Sequence, residues 1–290
     1  LDRNELGARF PSLHVGDVDA AIHGPQDGFI DPHAAVTGFR RKATSLGVTY
    51  IKDKVVDIQV SGGLARAVVL GSGEIISSDI IVNVAGAWGP EICAMVGMEV
   101  PVQPLSRNTF YFEIQGEVET MPLTKDPGGI AFRQEGAGFT VGLTDTDEAF
   151  GFNWEVDHDL FESRFWPILA HRIPAFEALQ LKRGWAGHYA FNHMDGNTII
   201  GKWIGGLDNF YIATGFTGAG LQKGPAIGRA MTELLLNGGY QTIDLTRMSF
   251  QRVIAERQTW RRSRRRRDGD GDGETKTETE KATATAKETD

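Results

Sequence analysis

Residues 209–236 read NFYIATGFTGAGLQKGPAIGRAMTELLL. NFYIAT has the composition of a short buried strand, and GFTGAG after it that of a glycine loop. Behind the loop, Ala226, Ile227, Ala230, Met231, Leu234 and Leu235 recur at helical spacing. Pro225 is predicted in the first turn of that helix, and Asn237-Gly238 ends it. Glycines at 215, 218 and 220 let the backbone come close to a ligand, and a helix N-terminus offers free N–H groups and positive potential to an anionic or electron-rich group. The spacing is not G-x-G-x-x-G, and no G-K-S/T phosphate loop occurs, so ligand contact and tight packing both fit the junction.

A second junction lies upstream. In DIIVNVAGAWGPEICAMVGM (79–98), Ile80 to Val84 is apolar at nearly every position, the pattern of a parallel strand covered on both faces. It stops at Ala85-Gly86-Ala87, where open α/β sheets bind ligands, and Pro90 opens a short helix closed by Gly97. Before it, Asp31-Pro32 starts a helix whose Ala35, Val36, Phe39, Ala43 and Leu46 share a face, and Gly47 ends it. VTYI (48–51) is predicted as a short buried strand, and strands near 54–60, 64–70 and 74–76 as a meander. From Pro101 the texture changes: PVQPLSRNTFYFEIQ alternates, AFRQ and GFTVGLT pair as a hairpin, and a helix from Asp157 is interrupted at Trp166-Pro167. The fold class is α/β plus α+β, with a sheet domain over 101–182 inserted between an α/β first part, 1–100, and its last part, 183–260.

The chain has 290 residues, 41% of them hydrophobic, with 30 basic against 38 acidic. The excess of acid argues against nucleic acid or an anionic membrane as partner. No apolar run approaches the ~18 residues of a membrane-spanning helix. Cys93, the single cysteine, excludes an intrachain disulfide and a multi-cysteine metal site, the usage of a reducing, intracellular compartment. The last stretch, 261–290, has no large apolar residue and is predicted disordered; its arginine run is followed by acids and reads as a solvated tail. DGDGDGE within it resembles a calcium loop, but the twelfth position is Thr279 rather than glutamate. The opening LDRNELGARFPSL reads as the interior of a domain, so the chain is expected to be a fragment.

Seven histidines, at 14, 23, 33, 158, 171, 188 and 193, form no helical metal-ligand pattern, and no metal site is predicted. His188 and His193 flank a turn with Asp195, as ligand contacts or as loop residues. Arg107 and Arg133 lie in strands, facing a substrate carboxylate or water. Spacing alone establishes no catalytic group, and Arg133 and His188 stand as the candidates.

The order of DIIVNVAGAW, VPVQPLSR, GWAGHYAFNHMDGNTIIG and ATGFTGAGLQKGPAIGRAMTELLL resembles the D-amino-acid-oxidase-like superfamily of flavin-dependent oxidoreductases. The resemblance covers about 5–255. It implies non-covalent FAD in a Rossmann-like domain and hydride transfer from an amine-like substrate to flavin. By motif, the backbone at Val55 contacts the adenine, and Gly86, Ala87 and Trp88 line the nucleotide part. Gly215, Phe216, Thr217, Gly218, Ala219, Gly220, Leu221 and Gln222 bring a helix N-terminus to the flavin pyrimidine edge. DPHAAVTGFRRKATSLGVTYI, VDHDLFESRFWPILAHRIPAFEAL and GGYQTIDLTRMSFQRV are similar to a mitochondrial branch of that superfamily serving respiratory complex I assembly. This implies a mitochondrial location, with cytoplasm as the alternative, and complex I subunits or assembly factors as partners.

The sequence also departs from the superfamily. Its amino-terminal G-x-G-x-x-G strand has no counterpart, which makes tight FAD binding by residues 1–290 alone unexpected. Ala219 stands where many relatives have histidine, and Thr140 where some oxidases carry lysine. Relatives with cysteine-linked flavin use a cysteine near His188, far in sequence from Cys93. Two functions follow: an amine oxidoreductase, or a non-enzymatic assembly scaffold using a flavoprotein fold. The tail gives the first testable expectation. Truncation at Arg261 removes no large apolar side chain and should leave the melting temperature within error; a clear drop on calorimetry contradicts it.

Overall fold

The structure, a computed structural model, describes residues 1–143 and 150–255; the tail 261–290, with its calcium-like DGDGDGE, lies outside them. In chain order the helices are α1 (Arg3–Arg9), α2 (Pro32–Ser45), α3 (Gly89–Met95), α4 (His158–Leu160), α5 (Trp166–Arg172) and α6 (Gly220–Asn237). The strands are β1 (Val55–Ser61), β2 (Leu64–Leu70), β3 (Ile75–Ser77), β4 (Ile81–Asn83), β5 (Val102–Glu113), β6 (Thr124–Asp126), β7 (Ile130–Glu135), β8 (Gly138–Leu143), β9 (Gln180–Asn192), β10 (Ile199–Lys202) and β11 (Phe210–Thr214). They form a meander β1-β2-β3, a mixed sheet β10-β11-β4 and a sheet of order β6-β7-β8-β5-β9. β11 runs parallel to β4, as expected of the two strands carrying the glycine junctions.

The signals at element starts act as read. Asp31 accepts the N–H groups of His33 and Ala34 at 2.8 and 3.0 Å, with Pro32 in the first position of α2. Four other expectations fail. Residues 48–51 form no strand, and Val48, Tyr50 and Ile51 are exposed, because no strand among the described residues lies beside them to share hydrogen bonds. The apolar face of α2 is likewise uncovered, with Val36 and Phe39 each 66% exposed. β4 is shorter than Ile80–Val84; among the described residues it has β11 as its one neighbour, and both of those end residues are exposed. Pro225 lies inside α6 rather than in its first turn, because helical pairing begins further back, with Lys223 N–H donating to the Ala219 carbonyl at 3.2 Å. The lost donor would have met the carbonyl of Leu221, a residue in the exposed first turn.

One face of the five-stranded sheet holds the main core. Phe110, Phe112, Phe132, Phe165 and Phe176 are all but fully buried there. Their rings meet edge-on or tilted, as for Phe110 with Phe165 at 5.1 Å and Phe139 with Phe176 at 4.8 Å. A π-helical turn, Phe161–Phe165, joins α4 to α5 and points Phe161 and Phe165 into this core, so the chain stays helical through Trp166-Pro167 to Arg172, without the interruption expected there. Leu6 of α1 and Phe10 just after it belong to the same core, with Leu1, Leu13 and Val18 packed against it. The amino-terminal stretch therefore joins the antiparallel sheet rather than the α/β part that was expected to hold 1–100. The sheet also extends through β9 to Asn192, beyond the boundary expected at 182. Residues Leu1–Phe250 make one compact unit, and the second unit begins at Gln251 with a helical stretch over 251–255.

Arg172, at the end of α5, ties these pieces together. Its side chain is 6% exposed, and its Nε donates to Asp126 Oδ2 at 2.5 Å. Its two terminal nitrogens donate to Asp17 at 2.9 and 3.1 Å. Replacing Asp126 with alanine leaves that guanidinium short of a buried partner and should cost about 3–5 kcal/mol in urea unfolding; a loss under about 1 kcal/mol contradicts a structural role for the pair.

Candidate cofactor and substrate site

β5 and β9 pair without a gap from Val102↔Asn192 to Glu113↔Gln180, with one irregularity at Tyr111/Phe112. Strand side chains alternate between faces. With Phe110 and Phe112 in the core, Leu105, Arg107, Thr109 and Tyr111 take the opposite face. The register sets Tyr189, Gly187, Trp185 and Arg183 directly across from them. Thr140 of β8 lies across from Tyr111, and Arg133 of β7 across from Thr140.

The glycine loop closes over the β9 end of this face. Thr217 N–H donates to the Ala190 carbonyl at 3.0 Å, and Asn192 N–H donates to Thr217 Oγ1 at 3.2 Å. Gly215, Thr217 and Gly218 have φ of +71°, +51° and +83°, and Thr217 is the one non-glycine among the described residues with positive φ. A side chain there stores strain of the kind found at ligand clamps. A Cβ on Gly218 would stand 3.1 Å from the Tyr189 ring, so glycine is required for both conformation and space. No side chain caps α6, which leaves the positive end of an 18-residue helix to whatever enters the loop.

Arg107 lies beside this loop. It is 5% exposed, its Cζ is 5.7 Å from the Tyr189 ring centroid, and neither Nε nor Nη1 has a hydrogen-bond partner. Buried guanidinium donors without acceptors are rare and mark a place where an anionic group fits. The arrangement of Gly218, Tyr189 and Arg107 thus suits an electron-rich ring edge or a carboxylate.

At the second junction, Asn83 shapes the backbone. Its Nδ2 donates to the Gly89 carbonyl at 2.8 Å and to Cys93 Sγ at 3.3 Å, and its Oδ1 accepts from Ala85 N–H at 3.1 Å. Gly86 turns at φ +56°, Ala87 is buried, and Trp88 stacks on Phe152 with centroids 4.9 Å apart. Val55, the expected adenine contact, opens β1 half-buried. Burial pushes the Cys93 thiol up to about 12, which keeps it from acting as a thiolate.

The two candidate catalytic residues separate. His188 is on the core-side face across from Ser106; its Nε2 accepts from Asn153 N–H at 3.0 Å, and its ring lies 4.2 Å from Trp154. Arg133 shares the open face but is paired with Glu135 and lies over Phe29 at 4.9 Å. Of the two strand arginines singled out for a carboxylate, Arg107 is the one left with free donors. Tyr189 was missed; strand parity with Arg107 would have found it once β9 was known to pair with β5.

The profile of the family described as FAD dependent oxidoreductase (DAO) matches residues 1–234. The chain belongs to that family. It is 32% identical over 287 residues to the FAD-dependent oxidoreductase domain-containing protein 1 of Xenopus laevis, an alignment covering 86% of this chain and 57% of that protein. It is 25% identical over 256 residues to the mitochondrial sarcosine dehydrogenase of Mus musculus, covering 82% and 27%. Among solved structures, the L-proline dehydrogenase of P. horikoshii superposes with a TM-score of 0.76 at 27% identity, covering 83% of this chain and 65% of that one. The chain thus spans little more than half the length of the first of these relatives. The expected class, α/β with an antiparallel α+β sheet, holds for this DAO-family chain, and non-covalent FAD is the cofactor that membership implies.

Within the DAO-family reading, Gly218→Val in the complete gene product should weaken FAD binding by about 1–3 kcal/mol, the scale of a lost buried hydrogen-bond partner. Gly238→Val, at the far end of α6, is the control and should leave flavin affinity unchanged. Titration of apo-protein with FAD reads both; parent-like binding by Gly218→Val would show the loop to be packing alone.

Proposed function

We propose that this protein is a FAD-dependent oxidoreductase of the D-amino-acid and sarcosine oxidase type, acting on an amine that bears an anionic group. The observation that carries the reading is Arg107, buried beside the glycine loop with two donors unspent. Bound FAD would supply a two-electron acceptor for a substrate C–H bond. Gly215 to Gln222 would hold its electron-rich edge through backbone N–H groups and the positive end of α6, stabilising negative charge there. Gly86, Ala87 and Trp88 would line its nucleotide part, with Val55 at the adenine. Arg107 would fix the substrate's anionic group, and Tyr189 would form the apolar wall between Arg107 and the loop. That wall excludes water from the guanidinium and strengthens its grip.

The likeness to a mitochondrial branch extends the proposal to a place in respiratory complex I assembly, in mitochondria. A second reading, a flavin-fold scaffold without turnover, is favoured by Ala219 and Thr140 and by His188 facing away from Arg107. Turnover separates the two. The complete gene product, loaded with FAD, should reduce an artificial electron acceptor with N-methylglycine, L-proline or a D-amino acid. Arg107→Met should raise KM at least about tenfold, the loss of a hydrogen bond to a charged group, with less change in kcat. Flavin bound in full without turnover of any of these amines sinks the enzyme reading and leaves the scaffold.

A further inference from the structure

On the far side of the five-stranded sheet from Arg107, three side chains converge that no helix pattern in the sequence announces. His14 and Asp17 lie on the loop after α1, and His171 is in the last turn of α5. All three are exposed, and one ligand atom from each lies within 4.8 Å of the other two. His171 Nε2 is 3.0 Å from Asp17 Oδ2. The two imidazoles meet edge to face, with centroids 4.7 Å apart at 87°.

We infer that His14, Asp17 and His171 form a binding site for one divalent transition-metal ion of the zinc, cobalt or nickel class. Two imidazoles and one carboxylate are the ligands such ions take, with a fourth position left to water. A tetrahedral ion ~2.0–2.1 Å from each ligand atom needs those atoms ~3.3 Å apart, a contraction that rotation of two exposed imidazoles supplies.

The carboxylate is also supported from behind. Arg172, buried between Asp126 and Asp17, donates two hydrogen bonds to Asp17 and fixes its plane. The same residue pins the loop, since His14 N–H donates to the Arg172 carbonyl at 2.8 Å and the His14 carbonyl accepts from the guanidinium. Metal ligands are characteristically oriented by such hydrogen-bonded neighbours.

One guanidinium faces two carboxylates, the buried Asp126 and the more exposed Asp17, which leaves the cluster one negative charge in excess. The bound ion would cross-link the loop after α1 to α5, over the aromatic core.

The test uses untagged protein of the full chain. Cobalt(II) should give saturable visible absorption at one equivalent per chain, and zinc should compete it away and raise the melting temperature. His14→Gln and His171→Gln keep a polar side chain at exposed positions, so their metal-free melting curves should match the parent. Each should weaken zinc binding at least about tenfold in calorimetric titration, the scale lost when a ligand's support is removed. His33→Gln, on α2, should bind like the parent. No saturable binding of cobalt or zinc, or equal binding by the parent and both glutamine variants, overturns the inference. If a variant's metal-free melting curve falls below the parent's, NMR of the parent decides: cobalt(II) shifting the ring resonances of His14 and His171 supports the site, and both left in place overturns it.

Discussion

The antiparallel ladder between β5 and β9 is the constraint on which both the core and the cradle depend. It runs the full length of β5, and its parity decides which side chains meet phenylalanine rings and which meet the glycine loop. A slip of one residue would carry Arg107 into the aromatic core and Phe110 into the cradle. The first of those costs a desolvated charge and the second an exposed ring, so the register is held from both faces at once. Two glycines of β9 sharpen the fit. Gly184 leaves room for Phe110, whose ring would stand 2.9 Å from any Cβ placed there, while Gly187 leaves open space across from Arg107.

The second tie is electrostatic. Arg172 spans from Asp126 at the end of β6 to Asp17 after α1, and so couples the hairpin edge of the sheet to the amino-terminal loop and α5. Desolvating a guanidinium is costly, and the cost is met here by carboxylates on two sides and a carbonyl on a third. The amino-terminal residues owe their position to this clasp as much as to Leu6 and Phe10. That accounts for a segment leaving the α/β part to which chain order would assign it.

Much of the fold was legible because its signals are local. Asp31-Pro32, the turns at Gly62-Gly63 and at Gly71 to Gly73, the alternation of 101–113 and the stop at Asn237-Gly238 each act within a few residues, and each appears where read. What escaped depends on partners far along the chain. The run VTYI has the composition of a strand, but composition supplies no neighbour to pair with. Arg107 and Tyr189 meet only through the register of two strands some eighty residues apart, and His14 meets His171 through a helix end that no spacing rule connects to a loop. At the glycine loop the sequence showed which residues were special and left open whether space or ligand made them so. The positive φ of Thr217 and the unspent donors of Arg107 are the observations that bear on that choice.

Cys93 has a practical corollary. It is fully buried, its sulfur accepts from Asn83, and its thiol is pushed up to about 12. Because it is also the only cysteine in the chain, the folded protein is close to blank toward maleimides and other thiol-directed reagents. A single cysteine introduced on the rim of the cradle would therefore carry a fluorophore or spin label at one defined position without prior removal of the native thiol. The same silence makes reaction of Cys93 a reporter: labelling there signals that the small helix behind Trp88 has opened.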